Sequence, residues 1–195
     1  MKVCGITRAE DAEAAVGCGA GALGFVFWPE SPRYIDPDRA RDIVTGIPAF
    51  VTIVGVFVNQ PASYVNDVAA AVGLGAVQLH GDEGPAVAAS MVRPVIKALG
   101  RVDAPMVDIW PARVTLLVDA YDPVRRGGTG ETADWAAAAA IARRRRVVLA
   151  GGLHAGNVRA AVAQVRPFGI DVSSGVEHRP GIKDRVKLAA FFEAL

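Results

Sequence analysis

The chain has 195 residues, of which 52% are hydrophobic and 21% charged, and its formal net charge is +1 at pH 7. This length predicts one domain with a sizeable core, and the balanced charge indicates neither a nucleic-acid nor a membrane partner. Every apolar run is interrupted before it reaches the about 20 residues of a membrane span. We expect no secretory signal, because the amino terminus reads as a strand followed by an acidic helix. The two cysteines, Cys4 and Cys18, are expected to be free thiols in a cytoplasmic protein.

Short apolar runs alternate with helical patterns along the whole chain, which is typical of βαβ units in a parallel sheet. The first run ends on Cys4, with Gly5 directly after it. The sixth run ends on a carboxylate, Asp119, and the seventh leads into Gly151 and Gly152. In chain order, strands are predicted at residues 2–4, 22–27, 51–58, 76–80, 95–99, 114–119, 147–150 and 170–172.

Each predicted strand is followed by a helix or by the remnant of one. The loop at 28–35 contains two prolines and two aromatic residues, which makes it stiff. Asp36 then caps the second helix, with Pro37 at its first position. Residues 100–113 contain two prolines and no amphipathic period, so the fifth helix is expected to be short or absent. The last helix is predicted at 183–194.

Eight strands with intervening helices predict a (β/α)8 TIM barrel, an α/β fold, built as a compact single domain over residues 1–195 with a reduced fifth helix. The chain is shorter than the about 250 residues usual for this barrel. A doubly wound open sheet is the alternative, but such a sheet is expected to stop at about five to seven strands. In a barrel the carboxyl ends of all strands meet at one mouth, so groups at those ends gather there.

Two glycine-rich segments follow the last two strands. They are Gly151-Gly152 and Ser173-Ser174-Gly175, each ahead of a helix or a helical turn whose N–H groups attract an anion. In barrels, the loops after the seventh and eighth strands commonly bind phosphate. Either segment alone reads more readily as a plain turn, and their joint position is what favours a phosphate site.

The sixth strand and its loop supply a candidate acid. Asp119 ends a largely apolar strand, which is an unusual position for a charged residue. A carboxyl group partly removed from water can serve as a general acid, although a loop acceptor or a helix cap is the ordinary role. Asp122 in the same loop is a candidate for either role. Gly128 belongs to a glycine-rich segment at 127–130, which is either a mobile loop or a second phosphate contact.

Cys4 is the candidate base, because it stands at a strand end and Gly5 leaves space beside its sulfur. The ordinary alternative is a small buried apolar residue, which is the assignment for Cys18. A thiol acts as a base only as the thiolate. The sequence therefore predicts that the pKa of Cys4 lies below the free value of about 8.5.

Two further side chains are candidates for contact with a substrate. Arg33 lies between two rigid neighbours in the stiff second loop, where it either clamps a carboxylate bidentately or is simply solvated. His80 ends the fourth strand and is a candidate contact for a ring or a carboxylate, although a lone histidine is more often structural.

Other chemistries have weaker support. No metal site is predicted, because the three histidines are scattered over different segments. Lys97 in the fifth strand is either a Schiff-base nucleophile or a buried ion-pair partner. The arginine run at 143–146 either contacts nucleic acid or complements a helix dipole in solvent, and the second interpretation is preferred.

Taken together, the motifs resemble the phosphoribosylanthranilate isomerase family of tryptophan biosynthesis. They occur in the family's order over nearly the whole chain. The matching segments are KVCGIT at 2–7, ALGFVF at 22–27 with SPR at 31–33, VGVFVN at 54–59, VQLHG at 77–81, LVD at 117–119, GGTG at 127–130, DW at 134–135, LAGGL at 149–153, and DVSSGVE at 171–177 with PGIKD at 180–184.

The resemblance implies a cofactor-free Amadori rearrangement of N-(5′-phosphoribosyl)anthranilate to the 1-deoxyribulose 5-phosphate product. It implies that Asp119 is the general acid that protonates the furanose ring oxygen, and that Cys4 is the base that removes the C2′ proton. Arg33 matches the family's anthranilate carboxylate contact, and the loops after strands seven and eight match its phosphate site. The expected partner is a small phosphorylated substrate, with the assembly left open between a monomer and a homodimer.

Two rival interpretations remain at this point. One is a dual-substrate barrel isomerase that also serves histidine synthesis, but those enzymes are longer and use an aspartate in the position of Cys4. The other is a non-catalytic phosphate-binding barrel that recruits RNA through residues 143–146.

Overall fold

The computed structural model describes residues 1–100, 104–120 and 133–195. Within them, eight parallel strands close into a barrel in chain order, with β8 paired to β1. The predicted (β/α)8 barrel is therefore confirmed, and the open sheet is wrong. The strands are β1 (Lys2–Cys4), β2 (Ala22–Val26), β3 (Thr52–Phe57), β4 (Ala76–Leu79), β5 (Val95–Leu99), β6 (Thr115–Val118), β7 (Val147–Leu149) and β8 (Gly169–Val172).

The helices form the layer around the barrel, and the fifth is reduced as predicted. Asp36 accepts a hydrogen bond from the Asp38 amide at 2.9 Å, with Pro37 at the first helical position of α2. The helices are α1 (Ala9–Gly17), α2 (Pro37–Val44), α3 (Ala62–Val72), α4 (Pro85–Ala89), α5 (Ala104–Asp108), α6 (Trp135–Ala142), α7 (Val158–Val165) and α8 (Arg185–Glu193). Across the described ranges, none of the helices has the length and apolarity needed to cross a membrane.

The chain departs from the sequence prediction after β8. A 3-10 turn at Ser174–Val176 leads into an antiparallel hairpin of β9 (Glu177–Arg179) and β10 (Ile182–Lys183). The last helix therefore begins at Arg185 instead of 183. Gly181 makes the turn with a φ of +79°, a conformation that glycine adopts without steric cost. Strands this short carry too few residues for a period of two to be visible in the sequence.

The main core lies between the sheet and the helices. Side chains such as Phe25, Phe57 and Leu116 point outward from the strands and are fully buried there. Burying one such side chain is worth about 1.5–3 kcal/mol. Successive strand residues point to opposite faces, so the alternate positions point into the barrel. Cys4, Val26 and Val56 pack together on that inner side, at the carboxyl ends of their strands.

Two charged features that the sequence left open are structural. Lys97 is buried and donates to Glu83 Oε2 at 2.8 Å and to the Gly81 carbonyl at 2.7 Å. It is therefore an ion-pair partner, and the Schiff-base interpretation is wrong. Within the arginine run, Arg144 pairs with Asp108 at 2.7 Å. Arg145 donates to the carbonyl groups of Val107, Trp110, Pro111 and Val114.

Candidate active site

A single cavity at the carboxyl ends of the strands brings the predicted acid and base together. Its volume is about 540 Å³. Cys4 and Asp119 both line it, and so do Gly152 and Ser174 from the loops after β7 and β8. These groups come from β1, β6, β7 and β8, and they meet because all strand ends of a parallel barrel lie at the same mouth.

The Cys4 side chain is almost buried, at 8% exposure, yet it faces the cavity. The space beside its sulfur comes from Gly24 on β2, and the prediction that Gly5 provides it is wrong. A Cβ at Gly24 would lie 2.7 Å from Cys4 Sγ and 2.9 Å from Lys2 Cε. Gly5 instead makes room for Arg33, because a Cβ there would lie 2.6 Å from Arg33 Cδ.

The prediction of an acidic thiol is also wrong. Burial raises the pKa of Cys4 above its ordinary value, and this effect outweighs the nearby cations. Lys2 and Lys183 act in the lowering direction, whereas the carboxylate of Asp171 adds to the rise. Removal from water disfavours the charged thiolate, which the sequence pattern cannot reveal. The thiol therefore depends on its charged neighbours to ionise.

Lys2 and Asp171 form a buried ion pair next to Cys4. Lys2 Nζ lies 2.9 Å from Asp171 Oδ2, and both side chains are more than nine-tenths buried. Burial alone would lower the pKa of Lys2, but the charges of Asp171 and Cys4 outweigh it and raise that pKa. Burial raises the pKa of Asp171, against the attraction of Lys2. Within the described part of the chain, Asp171 Oδ1 is buried without a hydrogen-bond partner.

Asp119 follows β6 directly and has two polar contacts with described residues. Its Oδ1 accepts a hydrogen bond from the Ala120 amide at 2.8 Å, and its Oδ2 lies 3.4 Å from His80 Nε2. Gln78 Nε2 lies 2.8 Å from His80 Nδ1. A neutral imidazole that accepts the Gln78 hydrogen bond at Nδ1 carries its hydrogen on Nε2, which faces the Asp119 carboxylate. His80 is thus adjacent to the candidate acid, and both residues line the cavity.

Arg33 is held by Glu177 at the start of the hairpin. Its Nε lies 3.0 Å from Glu177 Oε1, and its Nη2 lies 2.7 Å from Oε2. Glu177 also accepts from Lys183 Nζ at 2.9 Å. Burial would raise the pKa of Glu177, but the Arg33 hydrogen bond and the Lys183 charge hold it below its usual range. Glu177 thus occupies the side-on edge of the guanidinium, which Nε and Nη2 form.

Lys183 joins the hairpin to the ends of β1 and β8. Its Nζ donates to the Cys4 carbonyl at 2.5 Å and to the Ser173 carbonyl at 3.4 Å, in addition to its ion pair with Glu177. Burial lowers the pKa of Lys183, against the raising effect of Glu177. The segment that the sequence assigned to the last helix therefore fixes the strand ends that carry the site.

The glycines after β7 and β8 are required by close packing as well as by backbone conformation. Gly151 and Gly152 have φ values of +79° and +61°. A Cβ at Gly151 would lie 2.6 Å from the Ala120 nitrogen, and one at Gly175 would lie 1.9 Å from the Leu153 oxygen. The loops after β6, β7 and β8 are thus in contact with one another. Gly151, Gly152, Ser173 and Ser174 line the cavity.

Among the residues that the structure describes, sequence reasoning missed five polar residues around the site. Each is buried, and the signal that was available is a charged or amide side chain inside a short apolar strand or next to a glycine turn. Lys2 lies two positions before Cys4, so strand alternation alone points it into the barrel. The missed residues are Lys2, Gln78, Asp171, Glu177 and Lys183.

Two of the residues that the sequence proposed for the site, Gly128 and Asp122, lie outside the described residues.

Comparison with known proteins points to one family. The profile of the family described as N-(5′-phosphoribosyl)anthranilate (PRA) isomerase matches residues 1–194. An N-(5′-phosphoribosyl)anthranilate isomerase from Pelobacter propionicus is 49% identical over 193 residues, covering 98% of this chain and 92% of the relative.

Solved structures give the same result. The phosphoribosyl anthranilate isomerase from Thermotoga maritima superposes with a TM-score of 0.91 at 42% identity, over 99% of this chain and 96% of that one. A phosphoribosyl anthranilate isomerase in complex with reduced 1-(o-carboxyphenylamino)-1-deoxyribulose 5-phosphate superposes with a TM-score of 0.88 at 41% identity, over 99% and 96% of the two chains.

Proposed function

Because the chain belongs to the N-(5′-phosphoribosyl)anthranilate isomerase family, we propose that Cys4 and Asp119 are the base and the acid of its reaction. The reaction is the Amadori rearrangement of N-(5′-phosphoribosyl)anthranilate to 1-(2-carboxyphenylamino)-1-deoxyribulose 5-phosphate, a step of tryptophan biosynthesis. It is an isomerisation by general acid–base catalysis. One acid and one base suffice if both reach the same sugar.

The observation that carries the proposal is that Cys4 and Asp119 line one cavity of about 540 Å³. This volume lies within the range of about 300–1,000 Å³ that is usual for small-molecule sites. The two residues stand at the ends of β1 and β6, which are not neighbours in the barrel. A sugar lying between them would present different atoms to each.

The reaction begins on the acid side. Asp119 in its protonated form donates to the furanose ring oxygen, and the bond from that oxygen to C1′ breaks. The lone pair of the anthranilate nitrogen forms a double bond to C1′, which gives an open-chain protonated Schiff base. His80 beside Asp119 keeps the carboxyl group oriented toward the sugar.

The base side completes the rearrangement. The Cys4 thiolate removes the proton from C2′, and the electron pair forms the C1′–C2′ double bond of the enolamine while the Schiff-base nitrogen becomes neutral. The C2′ hydroxyl then gives its proton to Asp119 as the ketone forms, and C1′ takes a proton from Cys4. Both groups return to their starting states, so protons and electrons balance.

The remaining residues bind the two ends of the substrate. The end-on edge of Arg33 is available to the anthranilate carboxylate, because Glu177 occupies the other edge. Gly151, Gly152, Ser173 and Ser174 are the proposed phosphate contacts, since backbone amides in glycine-rich turns suit an anion. Gly175 supports them by its close approach to Leu153.

The test measures the turnover of the Cys4→Ala and Asp119→Asn variants. Turnover is monitored as the loss of fluorescence of the anthranilate adduct. Each substitution is expected to reduce kcat by a factor of about 10² or more, with an unchanged circular dichroism spectrum. Cys18→Ala is the matched control, because Cys18 packs against the core on the outer side and should retain full activity. Near-normal turnover in either site variant would refute the assignment.

We further propose that residues 1–195 form a single domain, as a monomer or a homodimer. Across the described ranges, β8 closes onto β1 within the one chain, which supports the single domain. Two free cysteines support a cytoplasmic location. Sedimentation velocity distinguishes the two assemblies.

A further inference from the structure

We propose that Lys2 is a positioning residue whose buried ammonium group is the charge partner of the Cys4 thiolate. The proposal rests on the proposed role of Cys4 as the base. It assigns to Lys2 the ionisation of the sulfur, without contact to the substrate.

The geometry of three adjacent strands brings the two groups together. Lys2 and Cys4 are two positions apart on β1, so both point into the barrel. A Cβ at Gly24 on β2 would contact Cys4 Sγ and Lys2 Cε at once, at 2.7 and 2.9 Å. Both side chains therefore occupy the space that glycine leaves open. On the other side, β8 pairs with β1 in a register that sets Asp171 opposite Lys2.

The chemistry of the site requires such a partner. A thiol that is 8% exposed loses the water that would stabilise its anion. Burial accordingly raises the pKa of Cys4, and among the opposing influences the charge of Lys2 is the largest. A base that must be ionised at neutral pH therefore depends on this ammonium group.

None of the other charged groups described around Cys4 fits this role as closely as Lys2 does. Lys183 from β10 is the second cation, but its Nζ is directed at the Cys4 carbonyl and at Glu177. Asp171 from β8 acts in the opposite direction. His80 and Asp119, from the carboxyl ends of β4 and β6, line the same cavity as Cys4.

Asp171 fixes Lys2 in this position. Its Oδ2 accepts from Lys2 Nζ at 2.9 Å, whereas its Oδ1 is buried without a partner among the described residues. Lys2 is thus the cation that compensates the Asp171 charge. Because a buried lysine without an anion would tend to lose its proton, the pair keeps Lys2 charged next to the sulfur.

The experiment measures the ionisation of Cys4 directly, by the ultraviolet absorbance of the thiolate as a function of pH. It uses the full chain with Cys18→Ala, and the Cys4→Ala/Cys18→Ala protein is the blank. Lys2→Met is expected to move the titration midpoint upward by about one pH unit or more. Lys2→Arg should leave the midpoint close to that of the parent, because it keeps the positive charge.

The double variant Lys2→Met/Asp171→Asn keeps the test valid if the single variant does not fold. It removes both charges of the pair, so no unpaired buried carboxylate remains. Its midpoint is expected above that of the parent but below that of Lys2→Met, because Lys2 acts on the thiol more strongly than Asp171 does. A midpoint equal to that of the parent in folded Lys2→Met, or in the folded double variant, would overturn the proposal, because both lack a cation at position 2.

Turnover supplies a second readout. At a pH below the midpoint, Lys2→Met is expected to lower kcat by about tenfold for each pH unit by which the thiol midpoint rises. KM should stay unchanged, because Lys2 does not line the cavity. A fall in kcat while the midpoint stays in place would also overturn the proposal. If Cys4→Ala retains turnover while the midpoint still moves with Lys2, the proposed base is wrong and the charge pairing stands.

Discussion

The two sides of the cavity differ in what surrounds the proposed base, Cys4, and the proposed acid, Asp119. On the base side, two buried ion pairs lie next to Cys4. Lys2 Nζ lies 2.9 Å from Asp171 Oδ2 beside the thiol, and Lys183 Nζ lies 2.9 Å from Glu177 Oε1 beside the Cys4 carbonyl group. On the acid side, described contacts of Asp119 are to a backbone amide at 2.8 Å and to His80 at 3.4 Å. Among the described residues, two buried ion pairs surround Cys4, whereas Asp119 contacts a backbone amide and a histidine.

This difference fits the opposite tasks that we propose for the two groups. A thiol that has to lose its proton in a buried position needs a cation close to the sulfur. The described neighbours of Asp119 are instead a backbone amide and His80. The barrel provides both environments in one cavity because its strands bring unrelated segments to the same mouth.

The largest expected effect is on the free energy of unfolding, which substitutions on the two sides of the cavity should lower by different amounts. Glu177→Leu would leave Arg33 and Lys183 buried without their anion, and breaking such a buried pair costs about 3–5 kcal/mol. Gln78→Leu is the matched variant on the acid side. This substitution removes one contact with His80 and an amide oxygen that has no described partner. The free energy of unfolding should therefore fall by no more than about 1 kcal/mol.

Urea unfolding curves at neutral pH provide the measurement. The free energies of unfolding of the two variants are compared with that of the parent chain. Equal losses in both would mean that the charge network on the base side is not a stabilising feature, and that the contrast between the two sides is wrong.

The second effect concerns binding. Arg33→Lys keeps the charge but loses the planar guanidinium that binds Glu177 and, in the proposed role, the substrate carboxylate. We expect KM to rise by about tenfold, the equivalent of about 1.4 kcal/mol, with a smaller change in kcat. Arg41→Lys on the exposed surface of α2 is the control and should match the parent. Steady-state kinetics with an unchanged KM would argue against the carboxylate contact.

The smallest effect is a pH dependence of stability. The pKa of Glu177 is depressed in the folded chain, so its contribution is present above the ordinary value of 4.5 and is lost as the pH falls through the depressed pKa. Glu177→Gln removes this titration. Between neutral pH and about pH 3, the parent should therefore lose about 1 kcal/mol more unfolding free energy than the variant. Parallel curves from urea unfolding across this range would contradict the network.

Much of the fold and part of the site could be predicted from local patterns. The strand ends at Cys4, His80 and Asp119 could be predicted because apolar runs stop there, and because a parallel barrel places all strand ends at one mouth. The glycines after β7 were predicted for the same reason. The hairpin at residues 177–183 was not, since its strands are too short to leave a periodic signal.

The ionisation of Cys4 could not be predicted in the same way. A cysteine before a glycine is compatible with either a raised or a lowered pKa, because the sign depends on burial and on charges from other strands. The relevant charges come from Lys2, Asp171 and Lys183, and the last two are far away along the chain. The function of Gly24 in making room for the sulfur was equally invisible before the strand register was known.

By itself, the sequence determined the order of strands and helices and the residues that end each strand, since these depend on hydrophobic period and turn residues near in the chain. Only the tertiary structure decided which charges meet. Asp171 is 169 residues from Lys2 and Glu177 is 144 residues from Arg33, yet both pairs are buried in contact. Closure of the barrel sets these distances, and the electrostatics of a buried thiol depend on distance and burial together.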